Sequence, residues 1–268
     1  MSIRAVICDV YGTLLSVAPG PPPETAEARW GELCRRYLGE GPPRGWDEFC
    51  QALELAIRRE HARARVAGIP FPEVDWLGTV TEVLPELAGL GREARDEFLF
   101  HQAQIWHRVG LMPGGAESLT CLRDSGVVLG IASNAQPYTL RELEEALRPA
   151  GVTWEHFASD LCFWSFAHGF SKPDPHVFRL LGARLRLRGI RPEETLMIGD
   201  RLDNDIEPAR AQGWQAWRLA TGSGARPDAG PDSGAMMGDW AALMAWWREI
   251  RVPRLSGPAC GNGSRSCP

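Results

Sequence analysis

Ile3-Arg-Ala-Val-Ile-Cys-Asp9-Val10 is the stretch on which the fold of this 268-residue chain turns. It is a short, β-branched, apolar run that reaches a carboxylate. Its apolar residues fall on both faces, the pattern of a parallel strand covered on both sides. Further along, VVLGIAS (127–133), DLCFWSF (160–166), TLMIGD (195–200) and QAWRLA (215–220) read as strands, separated by helical stretches such as TLRELEEALRPAG and DPHVFRLLGARLRLRG. Strand and helix alternating in this way predict an α/β fold, a doubly wound parallel sheet with helices on both faces. Right-handed crossovers bring the C-terminal ends of the strands to one edge, where open α/β sheets bind ligands.

One block breaks the rhythm. Residues 24–108 carry apolar spacing near 3.6 and no strand pattern, and they lie between two breaker-rich stretches, Ala18-Pro-Gly-Pro-Pro-Pro23 and Leu111-Met-Pro-Gly-Gly115. The expected organisation is a core domain from 1–17 and 111–250, with a smaller helical cap domain over 18–110. Residues 221–234 read as a Gly/Pro/Ser-rich loop. Residues 236–250 read as a last amphipathic helix capped by Asp239, and 251–268 as a disordered tail without chemistry.

Bulk composition narrows the function classes. The formal net charge is −5, with no broad basic field, so nucleic acid is not an expected partner. The seven cysteines form no CxxC pair, which fits reduced thiols in a cytoplasmic protein better than a disulfide or zinc framework. The N-terminal apolar run is too short for a signal peptide. No stretch approaches the ~18 apolar residues of a membrane span.

Four features sit just past four of the expected strands: Asp9, Ser133-Asn134, Lys172 and Asp200. Convergence at one sheet edge would face a nucleophilic carboxylate, a hydroxyl, a cation and further carboxylates towards one cavity. Lys172 carries a second signal. It is the one lysine among 29 basic residues. A chain that uses Arg everywhere else keeps a compact point charge here.

The stretches DVYGTLL (9–15), GIASNA (130–135), FSKPDPHVF (170–178) and MIGDRLDNDIEPARAQG (197–213) resemble, in order, the four motifs of the haloacid dehalogenase (HAD) superfamily. The helical insertion resembles that family's C1-type cap. The resemblance implies a hydrolase with Asp9 as covalent nucleophile and Ser133 and Lys172 as further catalytic groups. Tyr11, Thr13, Ser133, Asn134 and Lys172 would bind a small anionic substrate. Mg²⁺ would be held by Asp9, the Tyr11 backbone carbonyl, Asp200 and Asp205, with Asp203 nearby. Thr13 also reads as a loop-orienting residue, Asn134 as a strand-ending turn and Asp205 as a helix cap. Monomer and homodimer both stay open.

Position 11 departs from the phosphatase pattern, which carries an acid/base Asp there. A phenol of pKa ~10 is a poor proton shuttle near neutrality, and loss of the acid costs ~10²–10⁴ in rate for a poor leaving group. DVYGT also resembles the L-2-haloacid dehalogenases, which attack carbon without a metal. Asp200, Leu202 and Phe178 do not fit that pattern, and an uncompensated Asp200/Asp203/Asp205 group would repel both Asp9 and a haloacid. The balance favours a Mg²⁺-dependent phosphatase on a small phosphorylated metabolite. The alternatives are a metal-independent 2-haloacid dehalogenase-like hydrolase and a non-catalytic binding domain. The cap contains no lysine for phosphonate cleavage. Its Arg58, Arg59, His61 and Arg65 read as a solvated helix face, and Trp30, Trp46, Trp76 and Trp106 as cap core.

Overall fold

The computed structural model describes residues 2–220 and 236–251. The loop expected over 221–234 and the tail from 252 lie outside them. Strand β1 (Ala5–Cys8) forms where the apolar run predicts it, and β4 (Val128–Ser133), β5 (Phe157–Trp164), β6 (Thr195–Gly199) and β7 (Gln215–Leu219) follow. With β8 (Met236–Gly238) they make a parallel six-stranded sheet in the order β5-β4-β1-β6-β7-β8. The chain winds outward from β1 to β5, then returns to β6 on the other side of β1. Strand order therefore reverses at β1, and the crevice this creates lies just past Cys8.

Alternation along β1 assigns the two faces. Val6 and Cys8 pack with α5 (Gly115–Asp124), α6 (Pro137–Leu147) and α9 (Trp240–Arg251) through Leu119, Leu122, Leu143, Leu147, Trp240 and Leu243. Ala5 and Ile7 pack with α7 (Pro175–Leu187) and α8 (Glu207–Ala211) through Val177, Phe178, Leu181 and Ala209. Both faces being covered, the central strands are apolar throughout. This is the doubly wound core.

The cap is formed by α1 (Pro23–Leu38), α2 (Trp46–Val66), α3 (Trp76–Val83) and α4 (Arg92–Trp106). It has its own core, in which Trp30 stacks on Phe49 at 4.5 Å and meets Trp46 and Phe98. Trp30, Trp46 and Trp76 are buried within it, whereas Trp106 is 37% exposed and packs edge-on to Trp46. Arg58 and Arg59 pair with Glu54 and Glu82 on the solvent side, as a solvated face does.

Two features differ from the sequence reading. The joints between core and cap are strands: β2 (Leu15–Pro19) pairs antiparallel with β3 (His107–Leu111). The two strands are far apart in sequence and short, and β2 ends in the Pro-rich stretch, so neither shows a periodicity of its own. Met236–Gly238 is a sheet edge and not the start of the last helix, although Asp239 does cap α9 by accepting from the Ala242 N–H at 2.8 Å. Within the helical block, α3 follows an Asp75 cap that accepts from Gly78 N–H at 3.2 Å. Among the described residues no helix is long and apolar enough to cross a membrane, and Cys8, Cys34, Cys50, Cys121 and Cys162 are free thiols.

Helix α9 is tied to the loop after β1 by a hydrogen bond: the buried Trp240 indole N–H donates to the Thr13 carbonyl at 3.1 Å. Trp240→Phe keeps most of the packing but leaves that carbonyl without its donor. Chemical denaturation should show a loss of about 1–3 kcal/mol, and an unchanged midpoint would show that the bond contributes nothing to holding the loop.

Candidate active site

Asp9 follows β1 directly, and its backbone N–H donates to Ile198 O on β6 at 2.9 Å. The residue is thus held between the two central strands at the reversal point. Lys172 arrives from the loop after β5 and is buried. Its ammonium donates to Asp9 Oδ1 at 2.7 Å and to Asp205 Oδ1 at 2.5 Å. Burial alone would lower the ammonium's affinity for its proton, but the two carboxylates outweigh it and the Lys172 pKa is raised. The other Asp205 oxygen accepts from the Arg201 N–H at 3.1 Å.

Asp200 completes the cluster. Carboxylate oxygens of Asp9, Asp200 and Asp205 lie within 4.8 Å of one another. Burial, and next the charge of Asp9, push Asp200 up to about 6. Burial raises Asp205 as well, against the opposing pull of Lys172. Three carboxylates face one ammonium, a formal excess of two negative charges in a largely dry site. The Oδ1 of Asp200 is buried and has no hydrogen-bond partner. An orphaned carboxylate oxygen beside a crowd of like charge fits a hard divalent cation. Two glycines make the crowding possible. Gly12 has φ +81, and a Cβ there would stand 2.4 Å from Asp200 Oδ2; a Cβ on Gly199 would stand 2.4 Å from Asp205.

The remaining predicted residues separate into two kinds. Ser133 at the end of β4 and Thr13 in the loop after β1 are buried, and their hydroxyl oxygens have no hydrogen-bond partner. Asn134 is engaged: its Nδ2 donates to Lys172 O at 2.8 Å and its Oδ1 accepts from Lys172 N–H at 2.7 Å. This reciprocal pair clamps the backbone that carries the ammonium. Tyr11 is also engaged. Its hydroxyl donates to Glu142 Oε2 at 2.5 Å and lies 2.8 Å from Thr139 Oγ. Burial, and then the Glu142 charge, hold the phenol far above its ordinary pKa. Asp203 points elsewhere, pairing with Arg201 at 2.7 Å on the surface.

Glu142 is the residue that sequence reasoning missed. From α6 it accepts from Tyr11 next to the nucleophile, from Gln104 of α4 at 2.6 Å, and meets His107 Nε2 of β3 at 2.8 Å. One buried carboxylate joins core, cap, joint and catalytic loop. In TLRELEEAL it reads as one acid among several on a charged helix, and no local signal distinguishes it. Glu73 is a second such case. The cap segment Phe71–Glu73 pairs with Gly169–Ser171, immediately before Lys172. The Glu73 carboxylate accepts from Gln136 at 2.7 Å and from Ser165 at 2.6 Å.

The sheet reverses at a carboxylate, with a lysine and two further aspartates beside it and a helical domain built on the same strand ends. The model of the haloacid dehalogenase-like hydrolases matches residues 3–213, and the chain belongs to that family. Among its relatives is a phosphoserine phosphatase of Thermus thermophilus, 33% identical over 154 residues, 56% of this chain and 57% of the relative. A glyceraldehyde 3-phosphate phosphatase of Pyrococcus furiosus is 30% identical over 102 residues, 38% of this chain and 39% of the relative. The matches thus span about half or less of these relatives' lengths. In fold the chain is similar to a 2-haloacid dehalogenase from Pseudomonas syringae pv. Tomato, with TM-score 0.60, 20% identity and coverage of 92% and 99% of the two chains. It is also similar to a HAD phosphatase from Thermococcus onnurineus, with TM-score 0.52, 22% identity and coverage of 91% and 98%.

Two outcomes follow from the geometry. Gly12→Ala forces a left-handed backbone worth about 1–2 kcal/mol and drives a methyl group into Asp200, so both the unfolding midpoint and turnover should drop. A variant with unchanged activity would show that the loop is not held against Asp200. The second concerns pH. The ordinary Asp200 pKa is 3.8 and the folded value is raised to about 6. Between them the folded chain holds a proton that the unfolded chain has released, so this group's contribution to stability falls as pH rises through that window. Without divalent cations, the melting temperature should decline as pH is raised from about 4 to about 6, and Mg²⁺ should restore it above pH 6. A melting temperature that ignores Mg²⁺ across the range would contradict a cation at this cluster.

Proposed function

We propose that the chain is a Mg²⁺-dependent phosphohydrolase that acts on a small phosphorylated metabolite through an aspartyl-phosphate on Asp9. The observation that carries this reading is the uncompensated carboxylate cluster. Asp9, Asp200 and Asp205 share one ammonium, and Asp200 Oδ1 is buried with no partner. A metal-free site that binds a halide and a haloacid would only be harmed by that excess charge. The phosphatases among the relatives support the same choice.

Each side chain then has a task. The Asp9 carboxylate attacks phosphorus, dividing one difficult hydrolysis into two easier displacements. Lys172 keeps its proton throughout and places a fixed positive charge against the nucleophile and the transferring oxygens. The Ser133 hydroxyl, which bonds nothing within the protein, donates to a phosphoryl oxygen. Thr13 shapes the loop and lies within reach of the same anion. Asn134 acts through Lys172 by fixing its backbone. Asp9, Asp200 and the Tyr11 backbone carbonyl would hold the Mg²⁺. Asp205 uses both oxygens on Lys172 and Arg201 N–H and adds chiefly its charge. When bound, the cation neutralises the developing charge on the phosphoryl group. The cap covers the site and sets the choice of substrate.

A panel of metabolite phosphates and 2-haloacids, run with and without chelator, tests the reading. Phosphate release is expected from at least one phosphate compound, lost on chelation and lost in Asp9→Asn. Halide release indifferent to chelator would establish the metal-free carbon–halogen reading in its place. Tight Mg²⁺ or phosphate binding with no turnover would point to a non-catalytic binding domain.

A further inference from the structure

We propose that this site is built for phosphoryl donors whose leaving group departs as a stable anion, acyl and aryl phosphates, and that hydrolysis of the aspartyl-phosphate is its slow step. The inference rests on the phosphohydrolase reading and goes on from it to the class of substrate.

Expelling an alkoxide from phosphorus requires a proton delivered to the leaving oxygen, and attack by water requires one removed. In the loop after Asp9, residues 10–14, the titratable side chain is Tyr11. Its phenol donates to the buried Glu142 carboxylate at 2.5 Å and meets Thr139 at 2.8 Å, so its hydrogen is already committed to an acceptor within the protein. Glu142 is no substitute, because Tyr11, Gln104 and His107 surround it and its side chain is wholly buried. His107 meets the edge of the Tyr11 ring and turns its Nε2 to Glu142. Lys172 is pinned between two carboxylates, and the neighbouring Cys8 thiol is buried in the sheet. Glu73, which the cap lays against the loops after β4 and β5, uses both oxygens on Gln136, Ser165 and the Val74 N–H. Asp200 and Asp205 belong to the cation cluster. Each of these groups serves as a fixed charge or a fixed hydrogen-bonding partner, so none remains to carry a proton.

The two steps balance without such a group only for certain substrates. In the first, an Asp9 carboxylate oxygen forms a bond to phosphorus while the bond from phosphorus to the leaving oxygen breaks. A carboxylate or phenolate takes that electron pair and needs no proton. In the second, water oxygen bonds to phosphorus, the Asp9–phosphorus bond breaks with its pair returning to the carboxylate, and the proton passes to solvent. That second step has no base to assist it.

Rapid mixing of the Mg²⁺-loaded protein with p-nitrophenyl phosphate and with acetyl phosphate is the test, with glycerol phosphate and phosphoserine as alkyl comparisons. The expected result is a burst of nitrophenolate approaching one equivalent, an acid-stable and base-labile phosphoprotein lost in Asp9→Asn, and a kcat/KM for the aryl and acyl compounds at least ~10²-fold above the alkyl esters, the scale of a missing general acid. Tyr11→Asp combined with Glu142→Gln supplies a carboxyl group at position 11 and should narrow that ratio and shrink the burst. If this variant does not fold, the parent's ratio and burst still decide. Alkyl esters turned over within ~tenfold of the aryl and acyl compounds, with no burst, would overturn the inference and leave a phosphohydrolase. Absence of both phosphate release and phosphoprotein with every compound would overturn the phosphohydrolase reading beneath it.

Discussion

A buried ammonium shared by two carboxylates organises everything around it. Lys172 touches Asp9 and Asp205, and without it Asp9 and Asp205 would stand unscreened beside Asp200 in a medium that penalises charge steeply. The surrounding chain secures that ammonium from several sides. Asn134 clamps its backbone, the pairing of Phe71–Glu73 with Gly169–Ser171 holds the loop before it, and the Arg201 N–H orients its acidic partner. A lysine suits the position because a compact point charge reaches two carboxylates at once, whereas the planar fork of an arginine favours one. Even so the site holds a formal excess of two negative charges, which is the ground for the divalent cation proposed above.

The second constraint is Glu142. Buried charge persists in a protein only where donors converge on it, and those around Glu142 come from the catalytic loop, the cap and the joint between cap and core. The orientation of the cap and the conformation of the loop after Asp9 are therefore coupled through one carboxylate. The same coupling explains Tyr11. The phenol is committed to this network, which anchors the loop after Asp9 to the helix that carries Glu142.

Much of this was legible beforehand because it is carried by short-range pattern. β1, β4 and β6 are apolar on both faces, as strands covered on both sides are. Asp9, Ser133, Lys172 and Asp200 each follow a strand, so topology alone brings them together once the sheet is parallel. Other parts left no trace. β2 and β3 stabilise each other across about ninety residues of chain and show no periodicity of their own. Glu142 and Glu73 look like ordinary solvated acids until the fold buries the first and half-buries the second. Asn134 was open to two readings, and only its two hydrogen bonds to Lys172 show which atoms it serves.

The sequence by itself determined the doubly wound sheet, the helical insertion and the line of polar residues at the strand ends, because alternation, periodicity and turn chemistry are local properties of a chain. Tertiary structure alone decided how the charges are shared: that Lys172 stands between Asp9 and Asp205, that an oxygen of Asp200 is left unpartnered, and that Tyr11 is tied to Glu142. Electrostatic energies depend on distance and burial between residues remote along the chain, and neither quantity exists until the chain has folded.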